Sequence, residues 1–351
     1  MQIDLRSTVE RPPEWAMLAA ATPDYVVSVR WLETMAPLLP GEPRWLIATV
    51  DGRAQIGLHT RWLRSPPGEP RYDIAAVLRG DIPSPELHRC SEPIPIDALY
   101  PSLLVVLPGY VCAAAGSGAA DQPVLQGTLS AVEVWAAARG ARSVSFLYVP
   151  QRQEPLRRAL IEYGAQAVPL YPTCVLPLTF DSVEEFHHQL PKARRRDIAR
   201  LRRRLTESDI AVGEAELAQV RDEVLDLRLG LLRKYGSEAD AAVQSSVIDR
   251  MLALYEPQDV VVAVARRKDG LAGFSLGLRH EDTLRLLWCG QRPDAYGAYF
   301  VTCFYESVRA ALARGVTRID YGIMKWDLKM SFGCRLEQLT GHLLTIAPNA
   351  E

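Results

Sequence analysis

The sequence predicts a mixed α/β (α+β) chain of two tandem units, residues 1–178 and 179–351, each a mixed central sheet flanked by helices. Three observations carry this. The chain is 351 residues long, more than one ordinary core would hold. Each half contains a β-hairpin signature, WLIATV-DG-RAQIGL around Asp51-Gly52 and VVVAVARRKDGLAGFSLGL around Asp269-Gly270. Asp-Gly suits a type I′ turn because both central residues need positive φ. Each half then runs into a helix that closes with Ala-Arg-Gly, at Gly140 and at Gly315, and leads into a strand. A glycine after the last helical turn is the expected left-handed stop. The order hairpin, strand, helix, glycine, strand therefore occurs twice, which argues for a duplicated unit. The span from turn glycine to stop glycine is about twice as long in the first half, so that half carries an insertion.

The remaining elements follow in order. A helix over Pro155–Tyr163 and a strand over Ala167–Leu178 close the first unit. Asp181-Ser182 supplies capping oxygens for a new helix, which sets the boundary at Thr179. In the second unit a strand from Leu284 leads to a helix whose Tyr299, Phe300, Phe304 and Val308 form a core stripe. A strand then ends in Asp320-Tyr321-Gly322, and a loop carries Lys325, Trp326, Asp327 and Lys329. Charged residues where a strand runs out mark the usual ligand position of an open α/β sheet.

Composition narrows the function. A hydrophobic content of 48%, a charged content of 23% and a formal net charge of −2 describe an ordinary globular chain, not a general polyanion binder. The start, MQIDLRSTVE, lacks the apolar core of a secretory signal. The apolar window Ala98–Ala120 is broken by prolines and glycines and does not read as a membrane span. Cysteines 90, 112, 174, 289, 303 and 334 form no C-x-x-C pair and read as reduced, mostly buried thiols of a cytoplasmic protein. Cys289, Cys303 and Cys334 read as packing before they read as nucleophiles. No G-x-S-x-G, P-loop or H-E-x-x-H motif occurs, and no metal site is expected. His187-His188 reads as a surface pair and His342 as a half-buried strand histidine.

The sharpest local anomaly is PKARRRDIARLRRRL, residues 191–205. Ile198, Leu201 and Leu205 fall on one helical face, and Lys192, Arg194, Arg195, Arg196, Arg200, Arg202, Arg203 and Arg204 occupy the others. Asp197 is the one acid among them, so repulsion within the helix is largely uncompensated. Three readings stay open: a solvated or acid-paired face, a phosphate-rich substrate such as tRNA, or an anionic membrane surface.

The helix and strand that follow the second hairpin resemble the C-terminal motif of the Fem-like and BioF2-like acyltransferases of the GNAT superfamily. In that motif a helix ending Ala-x-x-x-Gly leads to an Asp/Glu-x-Gly strand and then to a lysine before an aromatic-Gly pair. The matching residues are Ala311, Gly315, Asp320, Gly322, Lys329, Phe332 and Gly333. Arg195-Arg196-Asp197-Ile198-Ala199-Arg200 is similar to the family's basic R-R-x-I-R helix. The resemblance implies two tandem GNAT-like units and transfer of an aminoacyl group from aminoacyl-tRNA. GNAT enzymes hold coenzyme A with a Q/R-x-x-G-x-G/A loop at a helix N-terminus. Gly116 and Gly118 supply the glycines of such a loop without its Gln or Arg. Asp294–Tyr299 sits before a helix but begins with an acid, with Gln291 and Arg292 nearby as further substrate-binding candidates.

The expected activity is therefore transfer of an aminoacyl group, with aminoacyl-tRNA as co-substrate and no permanently bound cofactor, to an amine of a small metabolite or peptide. Lys329 is the candidate charge stabiliser. Asp320 or Asp327 would orient the amine or take its proton, and Tyr321 would protonate the leaving oxygen. Lys325 and Trp326 would clamp substrate, and Arg195, Arg196, Arg200 and Arg203 would hold phosphates. The alternatives are an acyl-CoA-dependent N-acyltransferase working through Gly116 and Gly118, and a non-catalytic RNA- or partner-binding pair.

Overall fold

The computed structural model describes residues 2–80, 95–237 and 239–347; Cys90 lies outside them. The chain forms two compact units, residues 1–172 with 338–351, and residues 173–337.

The first unit holds strands β1 (Ile3–Thr8), β2 (Glu42–Val50), β3 (Arg53–Leu63), β4 (Ser102–Val105), β5 (Ser143–Pro150) and β6 (Gln166–Pro169), with helices α1 (Trp15–Ala20), α2 (Val29–Met35), α3 (Ile74–Arg79), α4 (Gln122–Ala137) and α5 (Glu154–Glu162). The second holds β7 (Thr173–Pro177), β8 (Ala211–Glu214), β9 (Val260–Arg267), β10 (Gly270–His280), β11 (Thr283–Gln291), β12 (Arg318–Asp320) and β13 (Arg335–Glu337). Its helices are α6 (Val183–Gln189), α7 (Lys192–Glu207), α8 (Leu217–Lys234), α9 (Ala241–Leu254), α10 (Ala298–Val301), α11 (Ser307–Ala313) and α12 (Trp326–Met330). A π-turn, Thr302–Glu306, joins α10 to α11. The last strand, β14 (Leu339–Thr345), belongs to the first sheet.

The two seven-stranded sheets have one design. The first runs β1-β2-β3-β4-β5-β14-β6, and the second, read from its other end, β8-β9-β10-β11-β12-β7-β13. Each has its parallel pair at the same place, β4 with β5 and β11 with β12. In each sheet the sixth strand comes from the far side of the sequence boundary, so β7 and β14 are exchanged. These are two tandem GNAT-like units.

The division therefore differs from the 178/179 cut. The expected strand over Ala167–Leu178 is two strands of different sheets, broken at Leu170–Pro172, and the last strand of the expected second unit completes the first sheet. The turn, glycine-stop and core-face expectations hold in the main. Asp51 and Gly52 take φ of 50° and 74° between the paired Val50 and Arg53. Gly140 and Gly315 take φ of 78° and 66° just past their helices. The second hairpin is shifted by one residue: Arg267 pairs with Gly270, so its central residues are Lys268 and Asp269. Ile198, Leu201 and Leu205 are buried in the second core with Phe304, Val308 and Phe332. Leu125, Leu129 and Val132 of α4 pack with Leu46, Leu58, Val105 and Phe146 in the first. Cys112, Cys174, Cys303 and Cys334 are buried free thiols, and Cys289 is a half-buried one. Among the described residues no helix is long and apolar enough to cross a membrane, and no cluster could hold a metal ion.

Candidate active site

The chemistry-bearing residues gather in the second unit, where β11 and β12 part. Their parallel pairing covers Thr283–Arg318, Leu284–Ile319 and Arg285–Asp320. β12 then ends while β11 continues to Gln291. The chain leaving β12 stays on β7 instead: Tyr321 N–H donates to the Cys174 carbonyl, and Cys174 N–H to the Gly322 carbonyl. Among the described residues nothing pairs with Leu286–Gln291 on the side away from β10. An open strand edge results, backed on one face by α8, whose Leu227 carbonyl lies 2.9 Å from where a Cβ on Gly290 would sit.

The parting point is held by a buried ion pair. Asp320 takes the Arg285 guanidinium on one oxygen. Its other oxygen accepts from the Thr173 hydroxyl and the Gly322 N–H, both at 2.8 Å. Burial alone would raise the Asp320 pKa, but Arg285, then Gly322 N–H and the Thr173 hydroxyl, hold it below the ordinary carboxylate value. Gly322 is required here, since its φ is 69° and a Cβ would lie 3.3 Å from Arg285 Nη2.

Lys329 is 7% exposed, and its ammonium donates to the carbonyls of Tyr321 (2.8 Å), Gly322 (3.0 Å) and Ile323 (2.8 Å). An ammonium has three donors, and all are used. The carbonyls turn inward because the chain takes positive φ at Gly322, Met324 and Lys325. Burial pushes the Lys329 pKa below the usual lysine value, partly opposed by Cys174 and Asp320. Tyr321 is also buried. Its hydroxyl donates to the Cys303 carbonyl at 3.0 Å inside the π-turn, and its ring stacks on Phe304, which stacks on Phe332 with centroids 4.1 Å apart. The π-turn is pinned to β10 by Ser275 and Ser307, whose hydroxyls meet at 2.7 Å and both reach the Thr302 carbonyl. Such turns recur at functional sites.

These contacts correct three of the sequence assignments. Asp320, Tyr321 and Lys329 are brought together, but as a buried brace with every polar group engaged, not as groups facing substrate. The expected KWDLK loop is the helix α12, with Lys325 and Asp327 exposed and Lys329 turned inward. Gln291 accepts the Tyr299 N–H at the start of α10, and Arg292 is tied to Asp269. Arg195 caps α6 through the His188 and Leu190 carbonyls, at 2.8 and 3.2 Å. Arg196 and Arg203 are exposed without an ion pair among the described residues, and Arg200 meets Asp197 at 3.2 Å. The sequence reading missed Arg285; its signal was a charge inside the apolar strand TLRLLW. Cys289, read from sequence as packing before nucleophile, lies on the open edge, and its sulfur accepts the Cys303 thiol hydrogen. That bond holds the Cys289 pKa below the usual thiol value.

Gly116 and Gly118 serve packing. Gly116 N–H is bound by the Thr22 hydroxyl at 2.8 Å, and a Cβ there would lie 2.2 Å from the Gln55 carbonyl oxygen. A Cβ on Gly118 would press on Val124 and Ile56. The start of α4 is already served by Asp121, whose carboxylate accepts the Val124 N–H at 3.1 Å. A pyrophosphate there would meet that negative charge.

A model of the FemAB-like family, described as peptidoglycan biosynthesis/recognition, matches residues 99–333. The fold is similar to that of FemX, at 11% identity over 98% of both chains with a TM-score of 0.60. It is similar to a tandem GNAT protein from the clavulanic acid biosynthesis pathway, at 10% identity over 99% of this chain and 100% of that one, TM-score 0.55. It is also similar to L-PGS from Bacillus licheniformis, at 10% identity over 91% and 88%, TM-score 0.53. At such identities the likeness is one of fold. No curated protein matches the sequence.

Proposed function

We propose, from the premise that this chain belongs to the FemAB-like family, that it is an acyltransferase moving an aminoacyl group from aminoacyl-tRNA to an amine of a small metabolite or peptide. The observation that carries this is the open edge of β11, Leu286–Gln291, in the same unit as the exposed arginines of α7. An aminoacyl ester is already activated. Catalysis then needs alignment of amine and carbonyl and donors for the developing oxyanion. Backbone N–H groups of β11 that face away from β10 are of the right kind for the second task. Asp327, exposed on α12, is the carboxylate available to take the amine proton, with Lys325 beside it to attract an anionic part of the acceptor. Arg196, Arg200 and Arg203 would hold phosphates. Asp320, Tyr321 and Lys329 act as positioning residues that keep β12 away from the open edge. Aminoacyl-tRNA and these roles together call for a cytoplasmic setting.

The test is a transfer assay with radiolabelled aminoacyl-tRNA and a panel of amines and short peptides, run beside titrations with bulk tRNA and acetyl-CoA at two salt concentrations. Label moving to an amine, with tRNA affinity falling steeply as salt rises, supports the proposal. Tight, salt-insensitive coenzyme A binding with no affinity for tRNA would replace it with the acyl-CoA alternative. Binding of tRNA without transfer from any donor would leave the non-catalytic reading.

A further inference from the structure

We propose that Tyr296 is a base-stacking platform for the unpaired 3′ end of an RNA whose backbone phosphates lie along α7. The inference rests on the aminoacyl-tRNA reading above and deepens it. Its basis is an order of features on one surface of the second unit. α7 buries Ile198, Leu201 and Leu205, which turns Arg196, Arg200 and Arg204 outward at i, i+4 and i+8. They form a row about 12 Å long at 1.5 Å of rise per residue, with Arg203 beside it. At the end of the row the Arg204 guanidinium sits 5.3 Å from the centroid of the Tyr296 ring. Tyr296 is 49% exposed. Tyr296 belongs to the short segment between the open edge of β11 and the start of α10. Its neighbour Gly297 fixes this segment on α7, since a Cβ there would lie 2.9 Å from Leu201 Cδ2. A row of cations, an accessible aromatic face and the open strand edge therefore follow one another.

A cation row alone reads phosphates of any nucleic acid, and a duplex keeps its bases stacked inside. An exposed aromatic ring beside such a row adds contact only with bases that are free to leave the helix. Arg204 covers part of the ring and adds its own cation–π attraction. The ligand class is thus RNA with a single-stranded end, the stem along the arginines and the end leading to β11. An acidic protein surface would use the arginines and gain nothing specific from Tyr296.

The experiment uses the full chain and two fluorescent, non-aminoacylated RNA minihelices, one blunt and one with an unpaired four-nucleotide 3′ tail. Affinities are measured by anisotropy over a salt series. The expected result is tighter binding of the tailed RNA, with Tyr296→Ala lowering that preference by roughly 5- to 150-fold, the range for loss of one base stack. Tyr296→Phe and Tyr296→Trp should keep the preference. The salt slope should stay unchanged in Tyr296→Ala and fall in Arg196→Ala/Arg200→Ala. If both minihelices bind through the arginines and Tyr296→Ala still distinguishes them as the unaltered chain does, the stacking platform is wrong and the tRNA reading stands. If neither binds to a chain with an unaltered circular dichroism spectrum, both fall.

Discussion

The two parallel strand pairs occupy the same place in the same sheet design and end differently. In the first unit the last matched residues are Val105 and Phe146, both buried and apolar. Beyond them the chain closes the interval itself. Leu107 N–H donates to the Val111 carbonyl, Cys112 N–H reaches the Tyr148 carbonyl at 2.9 Å, and Ala115 pairs with Gly57 in both directions. Tyr110 and Tyr148, at φ of 61° and 67°, mark where the backbone bends to do this. In the second unit the last matched residues are Arg285 and Asp320, and beyond them, among the described residues, β11 is unpaired on the side away from β10. An apolar pair suffices to end such a strand pair, so the ion pair is not what the sheet requires. Buried ion pairs are weak sources of stability and can serve orientation instead. The comparison teaches that one sheet design can be closed by its own chain in one unit and left open in the other.

The largest effect should come from Asp320→Ala, which deprives the buried Arg285 of its carboxylate. A loss of about 3–5 kcal/mol is expected in urea denaturation. Installing the first unit's residues together, Arg285→Val with Asp320→Phe, should recover most of that loss while abolishing acyl transfer. Recovery of transfer as well would show that the opening does not depend on the pair. Next is Gly116→Ala, whose new Cβ would collide with the Gln55 carbonyl. An overpacking cost of about 1–3 kcal/mol should appear with no change in KM for the acyl donor. Lys329→Met removes the donor from three buried carbonyls. It should cost about 1–3 kcal/mol and speed amide hydrogen exchange at 322–325 while the β2–β3 hairpin stays protected. Unaltered exchange there would remove Lys329 from the brace.

A pH effect separates the units further. Burial holds His59 down to about 3 and His342 to about 4, from an ordinary 6.5. Both lie in the first unit and are neutral when folded. Below pH 6.5 the unfolded chain takes up protons that the folded chain refuses. Their contribution is therefore complete above 6.5 and is lost as the pH falls toward 4, at about 1.4 kcal/mol per pH unit for each. Denaturation between pH 7 and 5 should show this slope, and His59→Asn should flatten it. The smallest effect on stability should be that of Arg196→Ala, within about 0.5 kcal/mol. It should nonetheless lower the salt slope of RNA binding by about 0.7–0.9.

Local chemistry made much of this architecture legible in the sequence. Glycine stops, an Asp-Gly turn and a three-residue apolar stripe on α7 depend on neighbours in sequence, and they stand where their spacing puts them. The split of 167–178 between two sheets was not legible, because sheet membership depends on partners that come much later in the chain. The role of Lys329 was hidden for a related reason. Its partners are carbonyls, which every residue has, and only the positive φ values at Gly322, Met324 and Lys325 aim them at one point. Arg195 looked like its neighbours in the basic run and differs only in reaching the end of α6. Position in the motif singled out Asp320, Tyr321 and Lys329 together, while their burial and the exposure of Lys325 and Asp327 required coordinates.

The exchanged strands β7 and β14 have a consequence for how such a protein could arise and be handled. A gene cut after Pro172 would encode a sheet with a missing slat between β5 and β6, and the complementary fragment would keep its own sheet whole but carry β14 without either of its partners. Each fragment would offer two raw backbone edges, the kind that template aggregation. The first unit therefore cannot be expressed as a free module without β14, whereas residues 173–337 hold all seven strands of the second sheet in one stretch. The dependence runs one way: the first sheet is completed only by the last strand of the chain, synthesised after the whole second unit.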